Sequence, residues 1–440
     1  MDAQHQLIGW WRSALLSIAV AGIGTFFWQA RPASASFKEF VAGFTSGYVA
    51  LNADPRVLEI RDRLQEVPDD AALADQKKFF TEQAAQLKEF DRFRLAEDEN
   101  EQAQLIAYLI ERHLERIELE MEWDRAGRKM PARGMDGLPQ QKRWYAWLVK
   151  RYTSVAISPE EVKALGEREI ARCKKEIAAI GAITTDGSNI TDKEELIREF
   201  SRIDSITRSR LQQFTGEFDV PPVHAMEWPG ADRNTPPGIY LPREYNPYNA
   251  DVFQFNFHDR KFARRDLAWI YLHEAIPGHH LQFSVRRTLD LDPLQEELFE
   301  PGDHEGWACY VEYHGDLFGL YYDPLQRLGK WEWDLVRSAR LVLDVGIHYE
   351  GWSREQALEF WKATIEGKDD IAEREVDRVT AMPGQVLSYK VGADRIEKMA
   401  DRIMKEDPQM DRNAFHRAYL EAGTLPLDLK EDRIRRNALR

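Results

Sequence analysis

The chain has 440 residues, 43% of them hydrophobic and 11% aromatic, enough apolar material for one large core or two smaller ones in a globular protein. Its formal net charge is −15, with acidic and basic residues interleaved, so no basic stripe is available to pair with phosphates and nucleic acid is excluded as a partner.

The first 35 residues read differently from the rest. Arg12 precedes an apolar run from Ala14 to Trp28, and Ala33-Ser34-Ala35 puts small residues where a signal peptidase cuts. This predicts an export signal over residues 1–35, cleaved near Ala35, and a periplasmic or secreted protein; an uncleaved N-terminal anchor is the alternative. No cysteine stands at the cleavage point to carry a lipid, and no later stretch is apolar enough to span a bilayer. Two cysteines occur, Cys173 and Cys309, which either pair or are simply buried thiols.

Residues 36–136 form a first helical region. Apolar residues such as Leu105, Tyr108, Leu109 and Leu114 recur at three- and four-residue spacing among charged ones, the pattern of amphipathic helices. Pro131, Gly134, Gly137 and Pro139 interrupt it between Gly127 and Gln141. The second region, 137–440, opens further helices at Ser158-Pro159-Glu160-Glu161, at Thr191 followed by Glu194, and at Ser353 followed by Gln356, each resembling a capping box. One part is not helical: Gly238 to Pro242 and Val252 to Phe257 are β-branched or aromatic, set among Pro236, Pro237, Pro242 and Pro247, and predict a short edge hairpin. The fold class is mainly α, with that small β element immediately before the segment that carries the chemistry.

From Arg264 to Ile276 the sequence RRDLAWIYLHEAI has helical spacing, and then Pro277 and Gly278 disturb it. In an HExxH arrangement two histidines four residues apart clasp one zinc while the glutamate acts as general base. Here the fourth residue after His273 is Pro277, which cannot be a ligand, so the second ligand is His279 or His280. At ~100° per residue a regular helix rotates His279 away and places His280 about 10 Å along the axis. The helix must break, and proline and glycine are the residues that break it. The motif is an expanded HExxH. A third ligand is expected from a downstream helix, where Glu305 is the choice, with Glu312 as fallback and His304 as a ligand or a partner of one.

The blocks HEAIPGHHLQ, EGWACYVE, LVLDVGIHYEGWSREQA and EVDRVTAMPGQVLSYKVG, in that order, closely resemble the bacterial proteins grouped as domain of unknown function 885, as does LPQQKRWYAWLVKRYTSVAISPEEVKALG. The resemblance runs from about Gly137 to the C-terminus. Those proteins resemble in turn the helical gluzincin peptidases, which include thermostable carboxypeptidases, oligopeptidases and angiotensin-converting enzyme, and this implies a large helical fold with a deep cleft. Residue by residue, it implies His273, His279 and Glu305 as ligands to one zinc ion and Glu274 as the base. It also marks Asp344, His348, Arg378, Gln385, Tyr389 and Lys390. His348 and Tyr389 are suited to stabilising an oxyanion, Asp344 to orienting His348, and Arg378 or Lys390 to pairing with a substrate carboxylate. The chain departs from the family in a shorter N-terminal portion and in Val379, where an aromatic residue is usual.

The expectation is a zinc-dependent hydrolase, a peptidase or carboxypeptidase acting on short peptides, in which Glu274 activates a water. The alternatives are a zinc amidohydrolase acting on a non-peptide metabolite and a catalytically silent binding protein of the cell envelope.

Overall fold

Phe37, Phe40, Phe44 and Tyr48 turn one face of the first described helix, α1 (Phe37–Leu51), into the core, because three- and four-residue spacing keeps them on one side. The computed structural model describes residues 37–52, 59–183 and 188–438; the predicted export signal lies outside them. Helices α2 (Ile60–Glu66), α3 (Asp70–Leu87) and α4 (Glu97–Arg125) complete an N-terminal layer in which α3 packs along α4. After the irregular stretch predicted near residues 127–141 come α5 (Gln141–Thr153) and α6 (Pro159–Ile180). Ser158 caps α6 as expected: its Oγ accepts from the Glu161 amide at 3.2 Å while Glu161 Oε2 accepts from the Ser158 amide at 2.8 Å.

A two-residue strand, β1 (Asn189–Ile190), precedes α7 (Lys193–Thr215). The cap of α7 is Asp192 rather than Thr191: its carboxylate accepts from the Glu195 amide at 2.6 Å and does the work expected of the threonine one residue earlier. The predicted hairpin exists and has a third member. Strand β2 (His224–Glu227) runs parallel to the central strand β4 (Val252–Phe255), and β3 (Gly238–Leu241) pairs antiparallel on its other side, so β3 is an edge. A short β5 (Phe262–Ala263) returns to pair with β1.

The helix expected to reach Ile276 stops earlier. A 3-10 turn over Arg264–Asp266 leads into α8 (Leu267–Glu274), all of whose residues are buried, and α9 (His279–Arg286) starts after a four-residue break. Then follow α10 (Pro293–Glu296), α11 (Pro301–Glu312), α12 (Pro324–His348), α13 (Arg354–Thr364), α14 (Ala372–Ala381), α15 (Leu387–Glu406), α16 (Arg412–Glu421) and α17 (Leu427–Ala438). Ser353 caps α13 in the expected reciprocal manner with Gln356.

Helices α11 and α15 form the closest packed pair around the site. They meet through glycine: a Cβ on Gly306 would fall 2.7 Å from the Gly392 Cα, and one on Gly392 would fall 2.4 Å from the Gly302 carbonyl oxygen. One apolar cluster extends from Phe37 to Ile434, so the N-terminal layer shares its core with the rest. Cys173 and Cys309 are buried free thiols. No helix among the described residues is long and apolar enough to cross a membrane.

Candidate metal centre

The break between α8 and α9 builds the site. Backbone at Ala275 leaves helical space, with φ −110° and ψ −106°, and α9 begins at His279. Gly278 sits against the end of α8, where an added Cβ would lie 1.9 Å from the His273 carbonyl oxygen and 2.3 Å from that of Leu272; only glycine fits. The Trp307 indole N–H, from α11, donates to the Pro277 carbonyl at 2.9 Å and pins the break to the neighbouring helix.

The outcome is that His273 and His279, six residues apart, face one carboxylate. Glu305 Oε2 lies 3.5 Å from the Nε2 of His273 and 3.5 Å from the Nε2 of His279. One ligand atom from each residue lies within 4.8 Å of the others. Donor atoms held about 2.0–2.2 Å from a tetrahedral zinc stand roughly 3.4 Å apart, so the trio has the dimensions of a three-ligand metal site. The chemistry of the oxygen agrees: Glu305 Oε2 is buried and has no hydrogen-bond partner. Burial pushes the Glu305 carboxyl up, yet the two facing imidazoles of His273 and His279 outweigh it and hold the group well below the usual carboxylate range.

Glu312, the fallback ligand, serves differently. Its Oε1 accepts from His273 Nδ1 at 2.7 Å, which fixes the tautomer and leaves the Nε2 lone pair facing Glu305. Its Oε2 is held by Arg337 at 2.6 Å. Cys309 Sγ approaches the same His273 Nδ1 at 4.0 Å, but the guanidinium on Glu312 opposes a second cation on this side. Arg337 carries no signal in the sequence, since nothing in α12 shows where its side chain ends.

Glu274, the expected base, is fixed from the sheet. Its Oε2 accepts from the main-chain amide of Tyr240 on β3 at 2.8 Å, which ties the carboxylate to the sheet edge. The ladder explains why that amide is free: the Asn256 amide donates to the Pro237 carbonyl, so alternate residues Gly238 and Tyr240 turn their main-chain groups away from β4. Tyr240 itself is anchored through its hydroxyl on Asp251 at 2.6 Å. His280 belongs to this support and not to the metal trio, with Nε2 on the Pro221 carbonyl at 2.8 Å and Nδ1 3.3 Å from the Tyr240 hydroxyl.

Tyr389 stacks on His273, ring centroids 6.3 Å apart. Its hydroxyl accepts from Arg378 Nη2 at 3.2 Å and from Gln385 Nε2 at 3.5 Å, which leaves its own proton available to a substrate oxygen. Burial, then the charge of Glu305, keeps that phenol protonated. Arg378, Gln385 and Tyr389 are thus brought together beside His273 of the candidate trio.

Four expected assignments are corrected by their partners. His348 Nε2 is spent on the Val379 carbonyl at 2.8 Å, and burial lowers its pKa to about 4, so the neutral ring has no second N–H for an oxyanion. Asp344 does not orient it: its carboxylate accepts from the Tyr145 hydroxyl at 2.6 Å and from the Gly384 amide. Lys390 is locked in the core by Asp334 at 2.6 Å, Glu169 at 2.7 Å and the Tyr313 hydroxyl at 2.8 Å, unavailable to a substrate. His304 is neither a ligand nor a partner of one; it lies between the rings of Phe283 and Phe299 and bonds Gln282. In each case the residue type suited the role and a neighbour distant in sequence claimed the side chain.

Residues 118–434 match the family described as "Bacterial protein of unknown function (DUF885)". The chain belongs to the DUF885 family. All three candidate ligands and Glu274 fall within the matched residues. Two solved structures share the fold of this DUF885 protein. One, "the putative lipoprotein from Colwellia psychrerythraea", is 21% identical with a TM-score of 0.61, over 91% of this chain and 74% of that one. The other, "a putative lipoprotein of unknown function from Shewanella oneidensis", is 16% identical with a TM-score of 0.67, over 92% of this chain and the whole of that one. No curated protein matches the chain.

Proposed function

We propose that this DUF885 protein is a metal-dependent hydrolase of amide bonds, a zinc peptidase acting on short peptides. The observation that carries the reading is the partnerless Glu305 Oε2, equidistant from two histidine nitrogens, with the Glu274 carboxylate held one residue away from His273. His273, His279 and Glu305 would hold one zinc ion, which supplies Lewis acidity and lowers the pKa of a water. Glu274 takes the proton from the attacking water and passes it to the leaving nitrogen. The Tyr389 hydroxyl, its lone pairs occupied by Arg378 and Gln385, donates to the oxygen that gains charge. A binding protein has no use for a glutamate base beside the first ligand.

A peptide is favoured over a non-peptide amide by the sheet edge. Gly238 and the Tyr240 carbonyl turn their main-chain groups away from β4, on the side where Glu274 meets the strand, and so remain for an extended substrate strand. The export signal read at the N-terminus, together with two lipoprotein-described structural neighbours, supports a place outside the cytoplasm.

Elemental analysis of the purified protein, beside a His273→Ala/His279→Ala double variant, tests the site. About one zinc per chain that disappears in the variant is expected; no bound metal in either protein after incubation with zinc overturns the reading. Glu274→Gln should retain zinc and lose turnover of a peptide library that the unaltered protein cleaves.

A further inference from the structure

Beside the metal trio lies an excess of positive charge that the reaction described above does not use. Arg340 and Arg374 share one carboxylate, Glu375, which accepts from Arg340 Nε at 2.7 Å and from Arg374 Nη2 at 3.0 Å, while Arg378 makes no hydrogen bond to it. Glu375 is divided between Arg340 and Arg374, and with Glu305 assigned to the proposed metal no carboxylate is left to bond Arg378. Arg378 Nη2 has only neutral acceptors, Gln385 and Tyr389. Arg340 is 4% exposed, and among the described residues its two Nη groups have no acceptor.

These two cations are at the reaction centre and not elsewhere in the core. Each has its Cζ 5.8 Å from the centroid of the Tyr389 ring, the same ring that stacks on the ligand His273. Burial pulls Arg340 below its ordinary pKa, with Glu375 offsetting part of the fall and Arg378 adding to it; burial pulls on Arg378 too, but Tyr389 and Glu375 outweigh it and hold that guanidinium above its ordinary value. A buried charge with only neutral partners, as at Arg378, is costly, and an anion that enters beside it lowers that cost. Planar guanidinium ends suit carboxylates in particular.

We infer that Arg340 and Arg378 form a subsite for two carboxylates, so that the preferred substrate is a peptide ending in aspartate or glutamate, its terminal and side-chain carboxylates each taken by one arginine. This rests on the hydrolase reading only for the position of the scissile bond; the binding itself does not require turnover. Glu375 then acts as a positioning residue that holds Arg340 in place, and Arg374 limits how much of the charge of Glu375 is left to neutralise Arg340.

The test is calorimetric binding of acetyl-Ala-Glu and acetyl-Ala-Gln to the zinc-loaded Glu274→Gln protein, which removes turnover from the measurement. The peptide ending in glutamate should bind at least about tenfold tighter, since the two differ by one charge-assisted contact. Adding Arg340→Met should bring the pair to within about twofold, and Arg378→Met, which leaves the Arg340 to Glu375 ion pair intact, serves should the first variant fail to fold. Equal affinities in the Glu274→Gln protein, binding of neither peptide, or a preference that survives both arginine variants overturns the subsite. A glutamate preference in binding with no hydrolysis by the unaltered protein sinks the enzyme reading alone, and hydrolysis without the preference sinks the subsite alone.

Discussion

At the scale of single residues, the centre depends on which atom of each imidazole is free. Glu312 settles this for His273 by taking Nδ1–H at 2.7 Å, and Arg337 settles Glu312 in turn. Removing such an orienting carboxylate from a metal site costs ten- to a hundredfold in metal affinity as an order of magnitude. Glu312→Gln keeps the shape and offers an amide that bonds His273 only weakly. The zinc dissociation constant, measured by competition with a chromogenic chelator, should rise by about tenfold or more, with the far-ultraviolet circular dichroism unchanged. An unaltered constant would mean that His273 is oriented by its surroundings in α8 alone. Residue identity was legible here only in part. His273 and Glu274 announce themselves beside two further histidines in one short stretch, whereas the choice of His279 over His280 and the match of Glu305 as third ligand rest on the family resemblance. The duties of Glu312, His348 and Lys390 do not announce themselves, because Arg337, Val379 and Asp334 reach them from other helices.

At the scale of elements, the sequence foretold that a helix must break between the histidines, and the reason is geometric: no regular helix presents positions 273 and 279 on one face. The place of the break was less legible. The apolar run through Ile276 reads as continuous helix, whereas α8 ends at Glu274 because Gly278 folds back onto the carbonyls of Leu272 and His273. This tight return gives a sharp prediction. Gly278→Ala places a methyl 1.9 Å from a main-chain oxygen that cannot move without displacing His273 itself. The melting temperature should fall by several degrees, corresponding to about 2 kcal/mol or more, and bound zinc should be lost with it. Ala275→Gly at the neighbouring non-helical position should keep the metal, and a variant at 278 that retains full zinc occupancy would show that the return loop does not set the ligand geometry. The hairpin was legible from its β-branched and proline pattern. Its parallel third strand β2 was not, since the HAME sequence at His224–Glu227 has no distinctive alternation and is recruited by β4.

At the scale of the whole molecule, one core holds several titratable groups outside the candidate ligand trio, and they make stability depend on pH in opposing ways. Burial lowers His348 to about 4 and His416 to about 3, each ring held by a main-chain carbonyl, Val379 and Phe214. An unfolded histidine takes its proton near pH 6.5, so as pH falls from there towards 4 the unfolded state binds protons that the folded state refuses, and stability declines. Asp344 works the other way. Burial raises its carboxyl to about 7, so between about pH 4 and 7 the folded state keeps a proton that the unfolded chain has released, and stability declines as pH rises. Two histidines against one aspartate leave these three groups with a net loss of stability on acidification through pH 6 to 4.5. Substitution separates them, because the slope against pH is insensitive to any pH-independent packing cost. His416→Gln should flatten the urea-derived stability curve by about 1.4 kcal/mol per pH unit in that window, and Asp344→Asn should steepen it by about the same amount. Parallel curves for Asp344→Asn and the unaltered chain would mean that the hydrogen bonds from Tyr145 and Gly384 keep Asp344 ionised in the core despite its burial.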